Sequence, residues 1–126
     1  IKDSNKIETF LSYRRLAIDI LEGLGIKTFN FMQPVCDLDS HAHSLKTKEL
    51  IPFFDKNDIS VCTRYPKLIT YVREIGKSKY GIDFKFYDTN QSPLEFLDSA
   101  HLSPEGEIQY ADYLFESISD LLNINP

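Results

Sequence analysis

Gly25-Ile26-Lys27-Thr28-Phe29-Asn30-Phe31-Met32-Gln33-Pro34 is the stretch on which the fold turns. The run Ile26–Met32 is rich in β-branched and aromatic residues, and Gln33-Pro34 stops it, so it reads as a short strand. Upstream, Ile7, Phe10, Leu11, Ile18 and Leu21 recur at helical spacing, with Arg14, Arg15, Asp19 and Glu22 between them. That is an amphipathic helix over residues 5–24, with Ser4 or Asn5 as its cap and Gly23 and Gly25 as its stops. Downstream the pattern repeats. Leu68, Ile69, Val72 and Ile75 share one face of a helix over 65–79, Gly81 ends it, and Asp83-Phe84-Lys85-Phe86-Tyr87-Asp88 reads as a second strand. After a linker with Ser92-Pro93, a last helix opens with Ser103 as cap, Pro104 at the first helical position and Glu105 and Glu107 in the first turn. Ile108, Ala111, Leu114, Phe115, Ile118, Leu121 and Leu122 form its apolar stripe.

Helices alternating with strands predict an α/β fold with a parallel sheet covered on both faces. Two strands are too few for three helices to cover, since parallel sheets occur almost only fully buried. Further strands are therefore expected from outside residues 1–126, and the start at Ile1 agrees with a fragment or processed chain. Residues 35–63 break the pattern. They are rich in Asp, His, Ser and Lys, with a short helix within Leu45–Phe54 as their one periodic piece. So long an excursion reads as a loop insertion of the functional or disordered kind.

Length and composition bound the rest. A chain of 126 residues makes one domain, able to bury roughly 65–70% of its unfolded surface. At 42% hydrophobic and 26% charged it is globular in composition, not disordered or fibrous. With 14 basic and 19 acidic residues the net charge is -5, which argues against non-specific binding to nucleic acid or an anionic membrane. No apolar run approaches the ~18 residues of a transmembrane helix, and no leader is visible. Cys36 and Cys62 fit no metal spacing. A disulfide is one reading; two free thiols in a cytoplasmic protein is the preferred one.

The chemistry is concentrated in Phe96-Leu97-Asp98-Ser99-Ala100-His101-Leu102-Ser103-Pro104-Glu105-Gly106. Asp98 and His101 stand three apart at a turn before a helix. There the carboxylate can hold one imidazole nitrogen and fix the tautomer, leaving the other to take a proton from a hydroxyl. That is the base-and-orienter half of a Ser-His-Asp triad. D-x-x-H alone is more often a capping or surface hydrogen bond.

The longer string D-x-x-H-L-S-P-x-G, at the mouth of an amphipathic C-terminal helix, resembles the last conserved block of the SGNH (GDSL-type) hydrolases. The strand Phe29–Pro34 followed by a polar loop looks like the penultimate strand region of one branch of that family. The resemblance spans residues 5–123, with 96–106 its specific part. It implies a partial flavodoxin-like three-layer α/β/α sandwich, residues 1–126 being the C-terminal portion of one such domain. It also implies a serine esterase acting on a small-molecule or carbohydrate ester, with His101 as general base, Asp98 as its partner and no metal or other cofactor. The family's G-D-S nucleophile motif is missing. Ser99 and Ser103 sit near His101 in the wrong setting for an elbow nucleophile, so the serine is expected in an N-terminal half of the same domain. The chain alone is then inactive, and its open strand edge predicts self-association. The reading from another class is a non-catalytic flavodoxin-like interaction module in which Asp98 and His101 make only a hydrogen bond at the helix mouth.

Other candidates have plainer readings. Cys36, Asp37, Asp39, His41 and His43 group potential metal ligands, but a solvated polar loop is preferred, with a pocket cover as a middle reading. Arg64 and Tyr65 could meet an acyl or carboxylate group; a water-facing arginine at a helix start is the alternative. The sixteen aromatics are read chiefly as core, with a stacking surface as the alternative and a partner contact conceivable at Tyr110 and Tyr113 on the last helix.

Overall fold

A computed structural model of the chain describes residues 4–38, 43–89 and 92–122. The elements in order are α1 (Ser4–Gly23), β1 (Asn30–Phe31), α2 (Leu45–Leu50), a 3-10 turn (Ile51–Phe53), α3 (Lys56–Tyr80), β2 (Phe84–Lys85) and α4 (Pro104–Leu122). The flavodoxin-like three-layer sandwich is not what forms. The protein is mostly helical, and the sheet among the described residues is β1 and β2 alone, paired in parallel with Asn30 opposite Phe84 and Phe31 opposite Lys85. Two strands lie about 4.8 Å apart. That width is about half a helix diameter, so the pair cannot serve as a layer with helices on both faces.

The chain forms two compact units, Ile1–Met32 with Leu68–Lys85, and Gln33–Lys67 with Phe86–Pro126. In the first, α1 buries Ile7, Leu11 and Ile18 along one stripe, and Val72, Ile82 and Phe84 complete the core. Gly76 leaves room for a ring, since a Cβ there would lie 3.0 Å from Cε2 of Phe84. The end of α1 is a Schellman turn. Gly25 takes φ 79, Ile26 N–H donates to Leu21 O at 2.9 Å and Gly25 N–H to Glu22 O at 2.9 Å. The Arg15 guanidinium, paired to Asp19 at 2.7 Å, also donates to the carbonyls of Tyr80 and Gly81 at the C-terminal end of α3.

The second unit is built round a disulfide. Cys36 and Cys62, both fully buried, are bonded with Cα atoms 5.1 Å apart, so the free-thiol reading is corrected. Leu94 and Phe96 pack on the bridge, joined by Leu38, Phe54, Tyr87, Leu102 and Tyr110. The expected long loop over 35–63 is also corrected, because α3 begins at Lys56, nine residues before the expected start. Pro66 lies inside it. A proline cannot donate to the carbonyl four residues back, here Cys62. Leu38 N–H donates to that carbonyl at 3.4 Å, so the group α3 cannot satisfy is used to dock the segment beside the disulfide. Asp55 caps the helix by accepting from Asp58 N–H at 2.8 Å.

No helix among the described residues is long and apolar enough to cross a membrane.

Candidate functional site

Residues 95–103 form a tight antiparallel loop at the mouth of α4. Phe96 bridges Leu102, Leu97 N–H donates to His101 O at 2.7 Å, and Ser103 N–H donates to Glu95 O at 2.9 Å. Its base is fixed from below by Thr47, fully buried on α2. The Thr47 hydroxyl accepts from Phe96 N–H at 2.8 Å and donates to Phe96 O at 3.3 Å, satisfying both backbone groups of one buried residue. The Ser103 side chain accepts from Gly106 N–H at 3.1 Å and its carbonyl from Glu107 N–H at 2.8 Å, which makes it the cap of α4. Gly106 is required for a different reason. A Cβ there would lie 2.4 Å from Glu95 O, so only a glycine lets the helix meet the loop backbone. Gly106→Ala is expected to cost about 1–3 kcal/mol through forced overpacking, read as a lower denaturant midpoint.

At the tip, Asp98 does two jobs. Its Oδ1 accepts from Ala100 N–H at 2.9 Å and His101 N–H at 2.8 Å, closing the turn. Its Oδ2 accepts from His101 Nδ1–H at 2.8 Å, so the proton on Nδ1 is fixed and Nε2 is the acceptor nitrogen. The His101 side chain is 80% exposed, and its Nε2 makes no hydrogen bond among the described residues. The imidazole therefore stands in open solvent, held on one side only.

A second carboxylate underlies the loop. Asp58 accepts from Ser99 N–H at 3.2 Å and also from the Ser99 hydroxyl, while Cys36 N–H donates to Ser99 O at 3.0 Å. Ser99 is thus buried and tied, and Ser103 is fully buried as a cap, so both serines near His101 are structural. The Asp98 carboxyl is held below its ordinary value of 3.8. Burial pushes it up, but the donors of Ala100 and His101 together outweigh burial. Asp58 is also lowered, chiefly by the Ser99 hydroxyl, against an opposing effect of burial.

Both groups titrate lower in the folded than in the unfolded chain. Their contribution is therefore present above pH 3.8 and lost as pH falls through the depressed values. The expected result is a melting temperature insensitive to these two groups from pH 7 to about 5. Below about 4 it should fall, less steeply in Asp98→Asn; an unchanged acid slope in that variant would remove Asp98 from the account.

The remaining candidates separate. Cys36 is consumed by the disulfide, His43 is buried with Nε2–H donating to Asp37 O, and Asp39 and His41 lie outside the described residues. Among the described residues no group of three His, Cys, Asp or Glu side chains could hold a metal ion. Arg64 is exposed in the body of α3. Tyr65 donates to Gln33 O at 3.1 Å, and its burial raises the phenol. Tyr110 and Tyr113 stack at 5.8 Å and both meet Tyr87 edge-on. Thr47 and Asp58 were not singled out from the sequence. Thr47 lies 49 residues from Phe96, and Asp58 lies 41 from Ser99, so no local spacing could announce either.

No family model, curated protein or solved structure matches this chain. Neither the fold nor these comparisons identify an SGNH hydrolase, so the hydrolase assignment has the Asp98–His101 geometry as its only structural footing.

Proposed function

We propose that Asp98 and His101 are the orienter and general base of a serine ester hydrolase whose nucleophile is a serine not carried by residues 1–126. The supporting observation is the oriented imidazole. The Asp98 carboxylate fixes Nδ1–H at 2.8 Å, and Nε2 is left as an exposed acceptor. Nε2 would take the proton from the serine hydroxyl as its oxygen attacks the ester carbonyl, then return it to the departing alcohol. Asp98 would stabilise the imidazolium without itself taking the proton. The substrate is a small-molecule or carbohydrate ester. The buried disulfide favours an oxidising compartment over the cytoplasm, where thiols are kept reduced.

A second reading has a specific observation behind it. Oδ1 of Asp98 closes the 98–101 turn whether or not the imidazole works, so the pair could belong to a non-catalytic interaction module. Hydrolysis of p-nitrophenyl acetate by the full-length protein and by His101→Ala separates the two. Loss of turnover with an unchanged melting temperature supports the base; equal rates remove His101 from the chemistry and leave the module.

A further inference from the structure

The apolar stripe of α4 is only partly covered: Leu114 and Ile118 are half-buried, but the rest of it is exposed. Ile108 is 65% and Phe115 58% exposed, and Ala111 and Leu122 continue the same exposed line at spacings of three, four and seven. The buried positions of α4 are Gly106 and Ser119. Beside this stripe lie Glu105, Asp112 and Glu116, with Glu107 and Asp120 elsewhere on the exposed surface; the helix carries five carboxylates and no lysine or arginine. None of the five makes an ion pair among the described residues.

Asp112 and Glu116 also line a cavity of about 380 Å³, with Tyr87, Ser92, Gln109 and Tyr113 among its other walls. Gln109 Nε2 is occupied, donating to Tyr87 Oη at 2.6 Å and Ser92 Oγ at 2.8 Å. Carboxylates and tyrosine rings give a lining that suits a cationic head: ionised oxygens attract it and aromatic faces add cation–π attraction.

We infer that α4 is a docking face for a basic amphipathic segment of a partner protein. Its apolar side would cover Ile108, Ala111, Phe115 and Leu122, and one lysine or arginine would enter the cavity beside Asp112 and Glu116. Charge selects this occupant over the others. A second copy docking α4 on α4 would bring Glu105, Asp112 and Glu116 against the same three carboxylates. An anionic lipid surface would meet the same repulsion. Covering the stripe supplies affinity, and the acidic border selects the partner and speeds encounter.

The test is fluorescence anisotropy on this chain with two labelled peptides about as long as α4, one of leucine and lysine in amphipathic order, the other with glutamate for lysine. Binding of the lysine peptide alone, weakening with salt, is the expected result. Phe115→Ser and the double variant Asp112→Asn/Glu116→Gln should each weaken it about tenfold or more, while Glu49→Gln on α2 leaves it unchanged. Equal binding of both peptides, no binding, or indifference to Phe115→Ser overturns the proposal. So does a dimer in light scattering that Phe115→Ser abolishes, because a second copy would then own the face. Phe115 and the two acids are exposed, and their variants are expected to melt with the parent.

Discussion

If Asp98 and His101 work as proposed, His101→Ala in the full-length protein is expected to lower ester turnover about a thousand-fold or more, with little change in stability. The size follows from the role. A triad base removes the hydroxyl proton during attack and returns it to the leaving group, so its loss affects both halves of the reaction. A thousand-fold is about 4 kcal/mol of transition-state stabilisation. Stability is spared because the side chain is 80% exposed and, among the described residues, hydrogen-bonds only to Asp98. Asp98→Asn is the sharper companion. Asparagine keeps an Oδ1 that can accept from Ala100 and His101, so the turn survives. It then presents an amide N–H to Nδ1, which must become the acceptor, and the proton moves to Nε2. That tautomer cannot take a proton from serine, and the expected loss is up to about 10^4-fold. A turnover in Asp98→Asn equal to the parent would show that the carboxylate only closes the turn. A rate loss matched by an equal loss of folded protein would show the same.

The α4 cap and the Asp98–His101 pair were legible in the sequence because each is a short-range device. Ser103 reaches Gly106 over three residues, and Asp98 reaches His101 over three. The end of α1 at Gly25 was legible for the same reason. What failed was what depends on distant partners. The β-rich runs at 26–32 and 83–88 pair over two residues each, because strand length is set by the neighbour and not by propensity. Apolar spacing starts the helix at 65, but α3 begins at Lys56 and runs through Pro66, whose orphaned carbonyl, that of Cys62, finds Leu38 N–H, a donor 24 positions away along the chain. The apolar stripe of α4 is visible in the sequence, but periodicity shows that a face is apolar without showing what covers it. Gly106 belongs to both groups. Its place in the string was visible, but its cause, a Glu95 carbonyl 2.4 Å from where a Cβ would be, is a tertiary contact.

Replacing Cys36 and Cys62 together by alanine lowers the stability of the chain by roughly 3–4 kcal/mol. The bridge spans 26 residues, and closing a loop of that length removes about 3.5 kcal/mol of conformational entropy from the unfolded chain. Because both side chains are fully buried against Leu94 and Phe96, the alanines also leave a small cavity, which adds to the loss. Denaturant midpoints of the oxidised protein, the same protein with reductant and the double variant separate the two contributions. Reductant reads the covalent link alone, and the variant reads link and packing together. The site should respond as well. Cys36 N–H holds Ser99 O at 3.0 Å, and on α3 Asp58, one turn before Cys62, holds Ser99 N–H at 3.2 Å. The disulfide therefore joins the two segments that grip Ser99, beside Asp98. Reduction is expected to speed amide exchange at Ser99 before it does so in the body of α4, where helix hydrogen bonds are independent of the bridge. If the reduced and oxidised proteins unfold at one midpoint, the bridge is dispensable to the fold. If Ser99 and α4 then exchange in step, it is not what positions the Asp98–His101 loop.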